Sequence, residues 1–330
     1  MIGAHHSSAA LRGRVLVIVR WVAGIALLAA LVHFLRIEAL REALGRVPGT
    51  RFLVVLAGYL LAYALGMLKW RMVVNAAGAG LSVTSSAQCY FGGLFGDLFL
   101  PSIIGGDVVR LSVGLRKSPR PAAVLAGNFA DRLLDLAADV TLIVVGLVLL
   151  PSRSGLDWKL IGNRAVFLLG LAAIAASVLS FGLYKPLLRG RSVRFRRWVG
   201  KFRHAFRSVS RRPGVLVAGW FGGMCVQGGF LLMTALLGVS CGLTLPLVVW
   251  MFAWPLAKIA ALVPLTQGGI GVREGALVVL LRPFGAAAPL VLATGLVAEG
   301  IIICAGLLSG LLALLLRETE ETAGEGPISG

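Results

Sequence analysis

Residues 101–110 read Pro-Ser-Ile-Ile-Gly-Gly-Asp-Val-Val-Arg, and residues 264–273 read Pro-Leu-Thr-Gln-Gly-Gly-Ile-Gly-Val-Arg. Both stretches follow the pattern P-x-x-x-G-G-x-x-V-R, and they begin 163 residues apart in a chain of 330 residues. Because the copies occupy corresponding places in the two halves of the chain, the pattern indicates an internal repeat. The repeat predicts two related halves, residues 15–184 and 214–316.

Long apolar runs surround both copies of the pattern. Hydrophobic residues make up 58% of the chain and charged residues 14%, and the mean hydropathy is +0.90. A soluble domain has about 45–50% apolar and about 25% charged residues. A helix that crosses a membrane needs roughly 20 apolar residues. Runs near that length cover residues 15–35, 52–74, 136–150, 165–184, 215–237 and 289–316.

These runs are continuous rather than alternating, which favours helices over a β-barrel. We therefore expect an all-α polytopic membrane protein with about six spanning helices, forming a single transmembrane domain over residues 1–316. Arginines precede a long first apolar run that lacks a small-residue cleavage pattern. The first run is therefore interpreted as an uncleaved helix.

Each copy of the repeated pattern follows an apolar stretch, residues 88–100 and 245–263, that Gly and Pro interrupt. Pro removes a backbone donor, and a Gly pair permits a tight turn. Freed backbone groups cannot face lipid, so such segments lie inside protein or line a watery cavity. We expect two broken, re-entrant helical hairpins that enter from opposite faces, an inverted repeat typical of transporters. Two ordinary kinked helices with packing glycines are the alternative.

The positive charge is concentrated in one stretch between the halves. The net charge is +18, and residues 185–212 contain eleven Lys or Arg side chains interleaved with apolar ones. This pattern predicts a basic amphipathic loop helix on the cytoplasmic side, lying on anionic lipid head groups, and does not favour a nucleic-acid partner. Both termini are then cytoplasmic in a multi-pass protein of the cell inner (cytoplasmic) membrane, although residues 36–51 carry four arginines on the outer side. Residues 317–330 form an acidic tail that we expect to be disordered.

Several ionisable residues lie inside the apolar segments, where each charge costs about 2.5–3.5 kcal/mol on insertion scales. The two arginines of the repeat suit the oxygens of a phosphate, and they follow turns at which helix N-termini attract anions. The nearby acids either form ion pairs or balance charge and carry protons during transport. The expected substrate-binding residues are Arg110, Arg273, Gly105, Gly106, Gly268, Gly269, Asp107, Glu274, Gln267, Asp131, Arg132, Asp135 and Glu299.

The sequence contains no pattern that indicates catalysis. The four cysteines and four histidines lack metal-ligand spacing. No nucleophile has a neighbouring base, and no nucleotide-binding loop is present. We therefore expect no enzymatic activity, no metal and no cofactor.

Three motifs carry a resemblance to a known family: GGDVVR at residues 105–110, DRLLD at residues 131–135, and QGGIGVRE at residues 267–274. They resemble the lysylphosphatidylglycerol synthase transmembrane-region family, also described as flippase-like membrane proteins, over roughly residues 15–316. The resemblance implies a lipid-translocation domain. In multidomain relatives this region moves aminoacylated phosphatidylglycerol to the outer leaflet, while a soluble domain attaches the amino acid. Only a short tail follows residue 316 here, so lysyl transfer is not expected.

Three functions remain open at this point. The leading hypothesis is a lipid flippase or transporter whose cargo is an amphiphile with a phosphate or other anionic head group. The alternatives are an enzyme acting on polyprenyl-linked or glycolipid substrates and a non-transporting scaffold of a lipid pathway. The expected partners are membrane lipids, either an anionic phospholipid or a polyprenyl-linked lipid. A homo-oligomer and contacts with lipid-biosynthesis enzymes are left open.

Overall fold

The computed structural model describes residue 42 and residues 45–99, 105–150, 193–261 and 271–324. Within these ranges the chain forms nine α-helices, one short 3-10 turn and no strand, which confirms the predicted all-helical class for them. The helices are α1 (Gly49–Ala76), α2 (Val83–Phe99), α3 (Gly105–Lys117), α4 (Pro121–Leu149), α5 (Val193–Ser210), α6 (Pro213–Ser240), α7 (Leu247–Ala260), α8 (Val272–Leu281) and α9 (Ala288–Gly324).

Proline marks the start of four of these helices. A proline ring fixes φ near its helical value, and the missing N–H costs nothing in a first turn that has no acceptor for it. Pro48 and Pro246 occupy the N-cap positions of α1 and α7. Pro121 and Pro213 lie in the first turns of α4 and α6.

Helices α1, α4 and α6 form the centre of the bundle. Small residues let their backbones approach closely. A Cβ on Gly127 of α4 would lie 2.5 Å from the Cα of Val74 in α1, so only glycine fits at that crossing. Between α1 and α6, the hydroxyl groups of Tyr59 and Thr234 lie within hydrogen-bond distance at 3.1 Å.

Three helices are long and apolar enough to cross a membrane: Gly49–Ala76, Pro213–Ser240 and the Ala288–Arg317 part of α9. They confirm the apolar spans predicted at residues 52–74, 215–237 and 289–316. The segment predicted at residues 136–150 belongs to α4, which begins fifteen residues earlier at Pro121 and carries four charged side chains. The runs at residues 15–35 and 165–184 lie outside the described residues, so the total number of spans stays a prediction.

Helices α2 and α3 form one antiparallel pair on this bundle, and α7 and α8 form another. The ends at which each pair enters and leaves the bundle, which we call its outer ends, lie at opposite ends of the molecule. The first pair, α2 and α3, starts and stops where α1 ends, and Ser118 just after α3 donates to the backbone oxygen of Ala79. This end also carries Arg120, Arg211 and Arg212, and we refer to it as the basic end. The second pair, α7 and α8, starts and stops at the opposite end, where α6 ends and α9 begins.

One local expectation was wrong. The apolar stretches at residues 88–100 and 245–263 were expected to be broken, yet Val83–Phe99 and Leu247–Ala260 are continuous helices, the second with Pro255 inside it. In α2, Gly93 packs against Gly106 and Arg110 without interrupting the helix. Helix α9 continues to Gly324, and the disorder expected for the acidic tail stays a prediction.

Part of the basic stretch at residues 185–212 forms α5, whose apolar side faces protein. Val199 and Val209 are buried, and the rings of Phe202 and Phe206 lie 6.5 and 5.8 Å from the ring of Phe129 in α4. The side chain of Ser208 donates to the last carbonyl of α1. The helix is therefore fixed to the basic end of the bundle, and its cations from residue 197 onward are exposed.

Candidate functional site

A lysine lies in the second half of the apolar helix α1, seven residues before its end, and is buried between two carboxylates of α4. The Nζ atom of Lys69 donates to Oδ1 of Asp131 at 2.6 Å and to Oδ1 of Asp135 at 2.7 Å. Lys69 is 6% exposed and Asp131 is 1% exposed. The two aspartates are one helical turn apart, so the same face of α4 presents both of them to α1.

The network continues through Asp107 and two arginines. Arg132 Nη2 donates to Oδ1 of Asp107 at 2.5 Å, and Arg132 Nη1 lies 3.6 Å from Oδ2 of Asp135. Arg110 Nη1 lies 3.5 Å from the same Asp107 oxygen. The six residues of what we refer to as the first charge cluster are therefore Lys69, Asp107, Arg110, Asp131, Arg132 and Asp135.

Arg110 is the deepest arginine of this cluster, at 3% exposure. Its guanidinium carbon lies 4.0 Å from the ring centre of Tyr90 and 5.8 Å from that of Trp70, so aromatic faces replace part of its lost hydration. Its Nε atom is buried without a hydrogen-bond partner among the described residues. Arg110 therefore keeps one donor that no described residue accepts, next to a carboxylate that it shares with Arg132.

The α2–α3 pair is held closely together beside Arg110. A Cβ on Gly93 would lie 2.8 Å from the carbonyl oxygen of Gly106 and 3.2 Å from the Cβ of Arg110, so glycine is required at this contact. The amide of Gly106 donates to Oδ1 of Asp97 at 2.6 Å. This bond fixes the start of α3 against the end of α2.

The second copy of the pattern builds a smaller site, which we refer to as the second charge cluster: Arg273, Glu274 and Glu299. Arg273 Nη2 bonds Oε1 of Glu299 and lies 3.2 Å from Oε1 of Glu274. Glu274 is fully buried. Its side chain lies against Gly295 of α9, where an added Cβ would lie 2.6 Å from Cγ of Glu274. The guanidinium carbon of Arg273 lies 5.3 Å from the ring centre of Trp254 in α7.

The two clusters share a local design. In each, an arginine of the repeat lies over an aromatic ring of the preceding helix and beside a carboxylate. At the start of each helix a carboxylate also accepts a backbone N–H. Gly271 donates to Oε2 of Glu274 at 2.6 Å, and Gly106 donates to Asp97, which lies beside the first charge cluster. The expected anion sites at these helix starts are therefore partly filled by the protein's own acids.

The two arginines differ in their position along their helices, and only Arg273 lies where it was expected. Arg273 is the second residue of α8, as expected for an arginine at a helix start, whereas Arg110 is the sixth residue of α3. The dipole at the start of α3 therefore lies more than one turn from Arg110. What Arg110 contributes is a buried, incompletely paired guanidinium.

A further ion pair lies between the clusters. Lys258 of α7 donates to Oδ2 of Asp139 in α4 at 2.9 Å. Asp139 follows Asp135 by one turn, and Lys258 follows Trp254 by one turn, so the pair connects the two sites through adjacent helices. The other oxygen of Asp139 is buried without a hydrogen-bond partner among the described residues. Together, the ion pairs of these two clusters and this bridge contain five cations and six carboxylates.

Most of the predicted site residues fall into these groups. Asp107, Arg110, Asp131, Arg132 and Asp135 come together in the first charge cluster, and Gly105 and Gly106 begin the helix beside it. Arg273, Glu274 and Glu299 form the second charge cluster. The predicted residues Gln267, Gly268 and Gly269 lie outside the described residues.

Sequence reasoning missed Lys69, which was not among the predicted site residues. It lies seven residues before the end of α1, within an apolar run, and an ionisable group in that position needs a partner. That rule predicts a partner for Lys69 but does not identify the aspartates of α4, because it does not say which helices are neighbours. Among the described residues, no group of three or more His, Cys, Asp or Glu side chains could hold a metal ion.

Comparison with known proteins identifies the relatives of this arrangement. A model of the family described as the lysylphosphatidylglycerol synthase TM region matches residues 17–310. A UPF0104 membrane protein of Methanothermobacter thermautotrophicus is 21% identical over 285 residues, which cover 78% of this chain and 81% of the relative. The family match includes every residue of the two charge clusters.

Proposed function

Because this chain belongs to the lysylphosphatidylglycerol synthase transmembrane-region family, we propose that it is a lipid flippase of the cytoplasmic membrane. Its cargo would be an amphiphile with a phosphate or other anionic head group. Family membership and three apolar helices support a membrane protein. The observation that carries the finer proposal is Arg110, a buried guanidinium in an apolar bundle whose Nε donor has no partner among the described residues.

Keeping charges at membrane depth is costly, at about 2.5–3.5 kcal/mol for each on insertion scales. Ion pairs that only joined the helices could be replaced by well-packed apolar side chains at little or no loss of stability. The presence of two such clusters in a bundle this apolar therefore supports a role in transport. Each cluster contains one of the two arginines of the repeated pattern, Arg110 or Arg273.

Arg110 suits an incoming phosphate better than Arg273 does. Its Nε atom has no partner among the described residues, and its contact with Asp107 is long at 3.5 Å. Asp107 is held more tightly by Arg132, so a phosphate could take the place of Asp107 at Arg110 without leaving that aspartate unpaired. Arg273 already has two carboxylates and would release one to accept an anion.

The charges of the first cluster bear on the transport step. That cluster contains three cations and three carboxylates, so an anionic head group bound at Arg110 gives it a net negative charge. Binding is therefore favoured when a proton or another cation is taken up together with the head group. This requirement gives the acids of α4 a role as carriers of the compensating charge.

The two antiparallel helix pairs supply the proposed pathway. We propose that α2–α3 and α7–α8 are re-entrant hairpins that enter from opposite faces and form an inverted repeat. Support comes from their outer ends, which lie at opposite ends of the bundle. Each hairpin would expose its arginine to one leaflet in turn, as alternating access requires. The basic end would face the cytoplasm, because Lys and Arg accumulate on that side.

The experiment is a lipid-flipping assay in proteoliposomes. A fluorescent anionic phospholipid is reconstituted with the wild type, with Arg110→Gln/Arg273→Gln, or with the exposed control Arg203→Gln, and a membrane-impermeant quencher is added. We expect near-complete quenching with the wild type and the control. The double variant should give the partial quenching of protein-free vesicles, with a rate at least about tenfold lower.

Two outcomes would contradict the proposal. Wild-type vesicles that quench no further than protein-free vesicles would mean that this lipid is not cargo. Equal flipping by the wild type and the folded double variant would mean that the two arginines do not take part. Elution of each variant as a single species before reconstitution separates loss of function from loss of the fold.

A further inference from the structure

The ion pair between Asp139 and Lys258 lies outside both charge clusters, and neither residue is among the predicted substrate-binding residues. Asp139 follows Asp135 of the first charge cluster by one turn of α4. Lys258 follows Trp254, whose ring contacts Arg273, by one turn of α7. Lys258 is the twelfth residue of that helix, about 16 Å along the axis from its start. The pair therefore lies at depth in the bundle and one helical turn from each of these contacts.

Asp139 is a buried carboxylate with a hydrogen-bond partner at one oxygen only. Its Oδ2 atom accepts from Nζ of Lys258 at 2.9 Å, whereas its Oδ1 atom is buried without a partner among the described residues. Asp139 is 4% exposed. A carboxylate can accept about four hydrogen bonds, and a buried charge is costly unless it is paired. The charged state of Asp139 therefore depends on the one cation that lies against it.

Lys258 is held less firmly than the lysine of the first charge cluster. Its side chain is 32% exposed, and Asp139 is its one ion-pair partner in the described part of the chain. The side chain of Lys69, by contrast, is 5% exposed and contacts two carboxylates. An ammonium group has three N–H donors, so Lys258 has donors left for a ligand. Lysine is also a usual partner of phosphate, which it binds as a point charge.

The charged groups that act most strongly on Asp139 come from three helices. They are Lys258 of α7, Asp135 of α4 itself and Lys69 of α1. Helix α6 also packs against α4. It contains no Asp, Glu, Lys, Arg or His, and its Cys225 is exposed. A change in the charge of Asp139 therefore acts first on Lys258.

The other two helices that pack against α4 bring their charges to more distant positions. Asp107 and Arg110 of α3 belong to the first charge cluster, where Asp107 pairs with Arg132. Arg132 precedes Asp139 by seven residues, or about two helical turns. The cations of α5 from residue 197 onward are exposed at the basic end. These groups leave Lys258 as the close partner of Asp139.

We propose that Lys258 is a further binding site for the anionic head group of the cargo, and that Asp139 releases Lys258 for this purpose by taking up a proton. The inference rests on the proposed flippase function, because it uses the same cargo. It assigns the compensating charge to one residue of α4. Lys258 would hold the head group at a point between its contacts with Arg110 and Arg273.

The exchange balances in atoms and in charge. A proton from water adds to the carboxylate of Asp139, and the neutral acid no longer holds the ammonium group of Lys258. An oxygen of the head-group phosphate then takes the place of Oδ2 at Nζ. When the head group leaves, Asp139 gives up the proton and pairs with Lys258 again. The pair is neutral before the exchange, and the lysine with its phosphate is neutral afterwards, so no uncompensated charge is left in the apolar bundle.

Four variants separate the proton from the cation. Asp139→Asn carries a fixed analogue of the protonated acid, so Lys258 is available without a proton. Lys258→Gln removes the proposed partner of the phosphate. Asp139→Asn/Lys258→Gln removes both charges and leaves neither of them unpaired. Glu42→Gln is the matched control, since it makes the same change from carboxylate to amide at an exposed position.

The measurement is isothermal titration calorimetry of the purified protein in neutral detergent with a short-chain phosphatidylglycerol. Repeating the titration in buffers of different ionisation enthalpy gives the number of protons taken up per protein molecule. The phosphodiester of this lipid is ionised throughout the neutral range, so it contributes no proton. Elution of each variant as a single species shows that it is folded.

We expect the wild type and Glu42→Gln to take up about one proton on binding, and Asp139→Asn and the double variant to take up none. The affinity of the wild type should fall by up to about tenfold for each unit of pH above neutrality, because the lipid must then bind together with a scarcer proton. Asp139→Asn should bind with an affinity that does not change with pH. Lys258→Gln should bind at least about tenfold more weakly than Asp139→Asn.

Three results would overturn the inference: binding by the wild type without proton uptake, the same uptake in Asp139→Asn or the folded double variant as in the wild type, and binding by Lys258→Gln as tight as that of Asp139→Asn. The flipping assay distinguishes this failure from failure of the proposed function. Lipid movement without proton uptake refutes the role of Asp139 and leaves the flippase standing. Proton uptake at Asp139 in a protein that moves no lipid supports the binding site and refutes the flippase.

Discussion

Replacing Lys69 with methionine tests whether the ion pairs in the bundle contribute to its stability. Methionine has a similar length and shape, so the change removes the charge and little of the packing. Asp131, at 1% exposure, and Asp135 would then face each other without the cation that now lies 2.6 and 2.7 Å from them. Arg132, 3.6 Å from Asp135, would be the nearest remaining cation.

Removing one partner of a buried ion pair typically costs about 3–5 kcal/mol. At about 2–4 °C for each kcal/mol, we expect the unfolding temperature of Lys69→Met to be lower by about 6–20 °C. Adding Asp131→Asn should restore about half of that loss, because it removes one of the two uncompensated charges. Lys201→Met, at an exposed position of α5, should change stability by less than about 0.5 kcal/mol.

The assay is thermal unfolding in detergent, followed by intrinsic tryptophan fluorescence, since the chain has seven tryptophans. A sharp loss for Lys69→Met, with partial recovery in the double variant, supports the described cluster. An unfolding temperature equal to that of Lys201→Met would refute the reasoning, because a lysine held by two carboxylates cannot be removed without effect.

Three further predictions concern packing and orientation. Trp70→Phe removes the indole N–H that donates to Oδ1 of Asn128 at 2.8 Å, and leaving that buried oxygen unpaired should cost about 1–3 kcal/mol in thermal unfolding. Gly127→Ala places a Cβ 2.5 Å from the Cα of Val74 and should cost about 1–3 kcal/mol, whereas Gly300→Ala, with open space around it, should not destabilise the protein. In a background with the native cysteines replaced, Arg211→Cys should react with an impermeant thiol reagent only from the cytoplasmic side and Arg282→Cys only from the outer side. The opposite pattern of labelling would reverse the proposed orientation.

The helical class and three long apolar helices could be predicted because twenty apolar residues in sequence have few other stable arrangements in a membrane. The boundaries of α4 could not be predicted in the same way. Its first half contains Asn128, Asp131, Arg132 and Asp135, which lower the local hydropathy below what a spanning segment usually shows. Those side chains are tolerated because Lys69 and other helices provide their partners, and that information is not local in the sequence.

The interruptions expected at residues 88–100 and 245–263 show a second limit. Glycine within a helical run can mark either a break or a close contact, and the sequence alone does not distinguish them. In α2, Gly93 marks a contact with Gly106 and Arg110, and the helix continues past it. Pro255 lies inside α7 without ending it.

The candidate site was predicted in outline because its arginines belong to the repeat and its acids recur along one face of α4. The pairing of individual charges was not predicted, because it depends on which helices are neighbours. Arg132 is paired with Asp107 across helices α4 and α3, twenty-five residues apart. Arg273 is paired with Glu299 of α9 as well as with its sequence neighbour Glu274.

The measurement that tests the central proposal most directly is the head-group selectivity of lipid movement by the wild type in a single vesicle preparation. Fluorescent lipids with identical acyl chains and either an anionic or a zwitterionic head group are compared under the same quencher. Selection of a net negative head group at Arg110, rather than of a phosphate neutralised by an ammonium group, predicts that the anionic lipid moves at least about tenfold faster. Equal rates for the two lipids, or no movement of the anionic one above protein-free vesicles, would contradict a flippase that selects its cargo by charge.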